Sequence, residues 1–274
     1  MTPSFIYGTA WKEDRTEALT GRALAAGFRA IDTANQRRHY VEAGVGAAVA
    51  RALDLGGLTR DELFLQTKFT AVGGQDHRLP YDPHADVATQ VEQSFESSLG
   101  HLRTSYLDSL ILHGPNRAHG LDDADWAAWR AMEALQEAGR VRFIGVSNVS
   151  LAQLRQLHAG SQVRPAFVQN RCFARQRWDH GVRAFCTARG IAYQGFSLLT
   201  ANEREIYQPA VASIAERHGR TVPQVVFRFA LQAGMLPLTG TSSEAHMRED
   251  LACLEFQLDE AELQAIEDCG LTSS

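Results

Sequence analysis

The 274-residue chain is poor in cysteine, low in aromatic residues (8%) and without any surplus of positive charge. Its four cysteines, Cys172, Cys186, Cys253 and Cys269, lie far apart with no C-x-x-C pair, which excludes a disulfide framework and argues against a zinc site. Lys and Arg number 27 against 32 Asp and Glu, a net charge of −5, so no basic field exists to hold nucleic acid or an anionic membrane. The local basic stretch 171–177 reads as a small anion site or a solvated loop. No window approaches the roughly 18 apolar residues that a membrane helix requires. The first residues, Met1-Thr2-Pro3-Ser4-Phe5-Ile6-Tyr7-Gly8, lack the basic-then-apolar run of a secretory signal. These absences predict a cytoplasmic protein with neither a nucleic-acid nor a membrane partner.

Hydrophobic residues make up 45% and charged residues 22%, as in ordinary globular proteins. The length suits two domains or one large α/β barrel, which runs to roughly 250 residues. No Pro/Gly/Ser-rich linker divides the chain, so residues 1–274 read as a single domain. Short β-rich runs alternate with amphipathic helical ones almost without interruption. Strands are expected at 6–8, 28–32, 63–68, 106–113, 141–146, 166–169, 191–193 and 236–239. Helices are expected at 16–26, 40–53, 86–99, 126–138, 151–158, 181–189, 206–218, from 223 onward, at 243–254 and at 259–268. Asn148 or Ser150 caps the helix at 151–158. Strands separated by helices of this length pair in parallel, and eight such units close into an α/β fold of the (β/α)8 TIM-barrel type, with the helices outside.

In such a barrel chemistry sits at the carboxyl ends of the strands. The polar residues there are Asp32, Lys68, His113, Ser147-Asn148, Gln169-Asn170 and Thr239. Each alone has an ordinary reading: Asp32 as a turn or cap, Lys68 as a solvated lysine, His113 as a hydrogen-bonded structural histidine. Together they place a carboxylate, an ammonium and an imidazole on three successive strand ends around one mouth.

These residues also carry a family resemblance. Phe28-Arg29-Ala30-Ile31-Asp32-Thr33-Ala34 resembles the G-[FY]-R-x-I-D-T-A signature of the aldo-keto reductases. Leu65-Gln66-Thr67-Lys68 resembles their strand-three T-K, and Leu112-His113-Gly114-Pro115 their L-H-x-P. Gly139-Arg140-Val141-Arg142-Phe143-Ile144-Gly145-Val146-Ser147-Asn148 is similar to their G-K-[VI]-R-x-[IL]-G-V-S-N. Order and spacing match from Gly8-Thr9-Ala10-Trp11 to Leu258. The resemblance implies reversible reduction of a small-molecule aldehyde or ketone by NADPH, with NADH as the alternative, and no metal. Hydride arriving at a carbonyl carbon puts negative charge on its oxygen, so a proton donor must lie within hydrogen-bond reach. The family tetrad is Asp, Tyr, Lys and His, and Asp32, Lys68 and His113 carry over directly. The lysine cation is expected to lower the tyrosine pKa from about 10, with Asp32 fixing the lysine and His113 orienting the carbonyl.

The tyrosine departs from the family pattern. Its usual place, five residues after the Asp, holds Arg37, and the first tyrosine is Tyr40, eight residues on. The family glutamate stands three residues after the tyrosine; counting back three from Glu42 lands on His39. The slot therefore falls to Tyr40 or to His39. A cationic neighbour activates a phenol and suppresses protonation of an imidazole, which favours Tyr40.

On the cofactor side, Ser147, Asn148 and Gln169 match the family's carboxamide-binding positions. Tyr193-Gln194-Gly195-Phe196-Ser197-Leu198-Leu199 resembles x-x-x-[YF]-S-P-L. That places Phe196 against the nicotinamide, with core packing as its other reading, counts Ser197 among the cofactor-binding residues, and puts Leu199, Thr200 and Ala201 toward the pyrophosphate. Leu198 replaces the motif's proline, so a different loop backbone is expected. The family's P-K-S-x-x-x-x-R-I-x-E-N has its lysine replaced by Leu238 and its arginine by His246. Thr241, Ser242 and Ser243 offer hydroxyls and backbone N–H groups at a helix N-terminus, and Thr9, Asp32, Thr239, Glu249 and Asp250 complete the implied cofactor set. Trp11 and Phe69 are expected to wall the substrate pocket beside Tyr40 and His113; Trp178 either joins them or covers the barrel. The short tail after the last helix implies an open pocket of broad tolerance. Monomer and weak dimer are both compatible with the sequence. The runner-up function is a weak or inactive cofactor-binding regulatory protein on the same barrel, favoured only by the shifted tyrosine.

Overall fold

Eight parallel strands hydrogen-bond in chain order, and the last returns to the first to close the sheet. The computed structural model describes residues 3–271. The strands are β1 (Ile6–Gly8), β2 (Ala30–Asp32), β3 (Phe64–Phe69), β4 (Leu107–Leu112), β5 (Val141–Ser147), β6 (Phe167–Arg171), β7 (Ala192–Phe196) and β8 (Met235–Thr239). The helices are α1 (Thr16–Ala26), α2 (Glu42–Asp54), α3 (Val87–Leu102), α4 (Asp123–Glu137), α5 (Leu151–Gly160), α6 (His180–Thr187), α7 (Glu203–Ile206), α8 (Pro209–His218), α9 (Val222–Gln232), α10 (Glu244–Leu251) and α11 (Glu260–Glu267). The TIM-barrel expectation holds, and most element ends move by only a few residues.

Three differences from the expected elements matter for the site. Helix α2 begins at Glu42 rather than at residue 40, which leaves Tyr40 in the β2–α2 loop. Strands β6 and β7 run on to Arg171 and Phe196, carrying those side chains to the rim. The helix expected over 206–218 is two helices, because Pro209, which lacks an N–H, starts α8 afresh. Of the two candidate caps for α5, Ser150 does the work: its hydroxyl accepts from the Gln153 N–H. Asn148 instead stands in the left-handed region at φ 53°.

Successive strand residues point to opposite sides of the sheet, and this alternation sorts the barrel into layers. Ile6, Ala30, Phe64, Phe167 and Leu236, from the first or second positions of their strands, form a small apolar plug inside together with Ile111 of β4. Two residues further along, Asp32, Gln66, Gln169 and Gln194 form a buried polar layer. The residues between them, such as Ile31, Leu65, Val168 and Tyr193, face outward into the main core beneath the helices. Helix α2 packs closely on the end of α3: a Cβ on Gly46 would lie 2.0 Å from the His101 carbonyl oxygen, so only glycine fits. This holds the start of α2, and the loop before it, against the barrel mouth. All four cysteines are buried. Among the described residues no helix is long and apolar enough to cross a membrane.

Candidate active site

At the carboxyl end of the barrel, the Lys68 Nζ lies 2.6 Å from Asp32 Oδ2 and donates to the Thr33 carbonyl at 2.8 Å. Both side chains are nearly inaccessible to water, and a buried charge persists only when paired and hydrogen-bonded. Burial pushes the Lys68 ammonium down, but the Asp32 carboxylate and the Tyr40 phenol outweigh it, holding the group above its usual range and charged. The ammonium sits 5.1 Å from the centre of the Tyr40 ring, and the His113 ring packs edge-on to that ring at 6.1 Å. The carboxylate, cation, phenol and imidazole therefore form one cluster.

Tyr40 reaches this cluster because the β2–α2 loop is tightly wound. The N–H groups of His39 and Tyr40 both donate to the Gln36 carbonyl, at 3.3 and 3.0 Å, and the Arg37 guanidinium donates to the Tyr40 carbonyl at 3.0 Å. His39 turns the other way. Its ring stacks on Trp11 at 3.9 Å, and its carbonyl accepts the Trp11 N–H at 2.8 Å. Burial pushes the Tyr40 phenol above its ordinary value; Lys68 pulls it back down and Asp32 raises it again. The lowering expected of the lysine is thus present but outweighed by desolvation. His113 is pushed down to about 3 by burial and by the Lys68 charge, so its ring is neutral. Its Nδ1 is 2.6 Å from the Thr70 hydroxyl.

A cavity of 840 Å³ opens over this cluster and runs from Tyr40 and His113 to His246, Glu249 and Asp250. That lies within the roughly 300–1,000 Å³ of small-molecule and cofactor sites. Its near floor includes Ser147, Asn148 and Gln169. Their N–H and O–H donors are engaged inside the protein. Ser147 Oγ donates to the Gln169 carbonyl, Asn148 Nδ2 donates to the His113 carbonyl and to Ser147 Oγ, and Gln169 Nε2 donates to Asp32 and Gln194. What these amides keep available are acceptor oxygens.

The pattern of the Aldo/keto reductase family matches residues 6–270. The chain belongs to the aldo/keto reductase family. A methylglyoxal reductase of Yersinia pestis is 30% identical over 260 residues, covering 93% of this chain and 84% of that protein. An aldo/keto reductase of Brucella melitensis is 29% identical with a TM-score of 0.80, covering 97% of this chain and 95% of the other. An aldo-keto reductase of Bombyx mori, crystallised in complex with NADP, is 23% identical; it shares the fold with a TM-score of 0.81, covering 98% and 89% of the two chains.

The rest of the cavity in this aldo/keto reductase contains most of the residues singled out from sequence. Trp11, Phe196, Ser197, Leu199 and Thr200 line it, as do Thr239, Thr241, His246, Glu249 and Asp250. Five do not. Lys68 lies beneath the floor. Phe69 is 3% exposed and packs on Tyr81 in the main core, because it alternates with the inward Lys68 and must point outward. Thr9 is buried, with its hydroxyl donating to the Asp32 carbonyl. Ser242 is solvent-exposed away from the cavity, and Ala201 closes a turn on the Ser197 carbonyl. Trp178 covers the barrel: it is fully buried and donates its indole N–H to Ile266. With Leu198 in place of proline, Ser197 adopts φ 57° and the buried Asn202 pins the loop by donating to the Leu198 and Cys172 carbonyls.

Two cationic residues at the cavity, Arg171 and Lys12, were not assigned to the cofactor or substrate site from sequence. Arg171 shares the inward parity of Gln169 and stands at the rim, its guanidinium 5.5 Å from the Phe173 ring. Lys12, directly after Trp11, bonds the Gly240 carbonyl and lies 5.9 Å from the Tyr7 ring. It brings a cation to the segment whose family lysine is Leu238.

Proposed function

We propose that this aldo/keto reductase reduces small reactive aldehydes and ketones, 2-oxoaldehydes included, with NADPH as hydride donor and Tyr40 as proton donor. The observation that carries the reading is the presence of Tyr40 beside Lys68 and His113 despite its shifted position in the sequence. The methylglyoxal reductase relative supports the substrate class.

The cavity residues fit a nicotinamide dinucleotide. The oxygens of Asn148 and Gln169 suit the N–H2 of a carboxamide, and Phe196 offers an aromatic face. Thr241 and His246, near the start of α10, and the Lys12 cation suit the phosphate-bearing half. When bound, the reduced nicotinamide supplies the hydride to the carbonyl carbon. Tyr40, protonated across the neutral range, gives its proton to the developing alkoxide. In the tautomer whose Nδ1 accepts from the Thr70 hydroxyl, the neutral His113 carries its proton on Nε2 and donates a second hydrogen bond to the same oxygen. Lys68 stabilises the phenolate left behind, and Asp32 keeps the lysine charged and in place. The exposed Trp11 indole, stacked on His39, walls the mouth.

The test is direct. Pure protein with NADPH and methylglyoxal should consume the reduced nicotinamide, followed by its absorbance, in strict dependence on the aldehyde. Cofactor binding with no turnover over a panel of aldehydes and ketones would instead support the regulatory reading.

A further inference from the structure

The polar layer inside the barrel contains two glutamines that the proton transfer described above does not use. Asp32 Oδ1 accepts from two amides, Gln66 Nε2 at 2.7 Å and Gln169 Nε2 at 3.0 Å, while Oδ2 takes Lys68. Gln66 and Gln194 then exchange a reciprocal pair of hydrogen bonds, Nε2 to Oε1 at 2.8 Å and 2.9 Å. The Gln194 oxygen also accepts from Gln169 Nε2 at 2.9 Å. Gln66 and Gln194 are 0% exposed, and the apolar plug lies on the same inner face. Burying two amides in a barrel core is costly unless every group is satisfied, and aliphatic side chains would fill the space more cheaply.

We infer that Gln66 and Gln194 are positioning residues of the proton-transfer machinery: a locked amide pair that aims the Asp32 carboxylate and, through it, the Lys68 ammonium at Tyr40. The inference rests on Tyr40 being the donor. A carboxylate only accepts, so Gln66 and Gln169 must turn their N–H2 groups toward it, and Gln194 must turn its oxygen toward them. The observed arrangement satisfies these contacts together. The two N–H donors draw charge to Oδ1, so Oδ2 does not claim the ammonium wholly and Lys68 stays available to the phenol. The charged and titratable groups facing this point are Asp32 from β2, Lys68 from β3, Tyr40 from the β2–α2 loop and His113 after β4, with His39 contributing at longer range. Gln169 belongs to both circuits: its nitrogen serves Asp32, and the residue also lines the cavity.

Methionine has similar bulk and no amide, so Gln66→Met, Gln194→Met and the double variant test the idea. The double variant removes both partners of the pair and leaves neither amide orphaned, which keeps the test open if a single variant fails to fold. Two readouts distinguish positioning from mere core filling: the ring-carbon NMR shift of Tyr40 followed with pH, assigned by Tyr40→Phe, and the pH profile of kcat for alcohol oxidation, which needs the phenolate. Loosening Asp32 lets it claim Lys68 more fully, so both transitions should move to higher pH by about half a unit or more. The kcat for reduction at neutral pH should fall about 10-fold, with cofactor KM changing less. A folded double variant with the wild-type Tyr40 titration and profile would overturn the inference. A wild-type chain that turns over no carbonyl, yet whose Tyr40 titration moves in the variants, would overturn the proposed activity and leave the relay standing.

Discussion

Replacing Lys68 by Met tests the buried ion pair through both stability and chemistry. The wild-type ammonium is 1% exposed and 2.6 Å from Asp32 Oδ2. Removing one partner of such a pair costs about 3–5 kcal/mol, because the other charge is left buried. The variant can escape by protonating Asp32, which for an ordinary carboxyl costs about 4 kcal/mol at pH 7 and about 1.5 kcal/mol at pH 5. In the variant Asp32 becomes an acid whose folded-state affinity for a proton is raised. The stability of such a group is complete below the ordinary carboxyl pKa and is lost as pH rises. At about 2–4 °C per kcal/mol, the Tm deficit against wild type should be about 8–16 °C at pH 7 and about 3–6 °C at pH 5. Matched thermal unfolding by circular dichroism at the two pH values measures this. The phenol also loses the cation that pulls it down, so reduction should fall about 10²-fold or more. A deficit that is equal at both pH values, or larger at pH 5, would refute the reasoning.

His246→Arg should tighten NADPH more than NADH, because a guanidinium pairs a 2′-phosphate bidentately; equal effects in fluorescence titrations would place the residue elsewhere. Asp250 lines the same end of the cavity and is pushed up to about 6 by burial, against the hydrogen bond it accepts from Thr239. Its charge is therefore absent below about pH 6, and wild-type NADP+ affinity should rise as pH falls through that value. The rise should be smaller in Asp250→Asn; identical pH dependence in both would remove Asp250 from the site. The hydrogen bond to Glu42 raises His101 above its usual value despite partial burial. That stabilisation is complete below the ordinary histidine pKa of about 6.5 and is lost as pH rises through the raised value. His101→Gln should cost about 1–3 °C in Tm at pH 6 and almost nothing at pH 9, a small effect because the histidine is partly exposed to solvent.

Asp32, Lys68 and His113 were legible because each ends a strand whose apolar alternation is plain in the sequence. The same alternation, pushed further, would have found more. Gln66 is two residues before Lys68 and Arg171 two after Gln169, so each shares the inward face. It would also have sent Phe69 outward, away from the substrate. Tyr40 was harder, because family spacing assumes a loop length that this chain does not have. Only the turn closed on the Gln36 carbonyl, with His39 drawn beneath Trp11, decides which ring enters the cluster. The adenosine end was least legible. Lys12 arrives there from the β1 loop, more than 220 residues away in sequence from Gly240, and no local pattern encodes that contact.

The central claim is that Tyr40 gives the proton. The most direct measurement is kcat for aldehyde reduction in Tyr40→Phe and His39→Ala, each compared with wild type at saturating cofactor. Phenylalanine keeps the ring that Lys68 and His113 pack against and removes only the hydroxyl, so Tyr40→Phe should lose about 10²-fold or more while binding NADPH normally. His39→Ala loosens the Trp11 stack and should lose less than about 10-fold on the same scale. A severely impaired His39→Ala enzyme beside an active Tyr40→Phe enzyme would contradict the account.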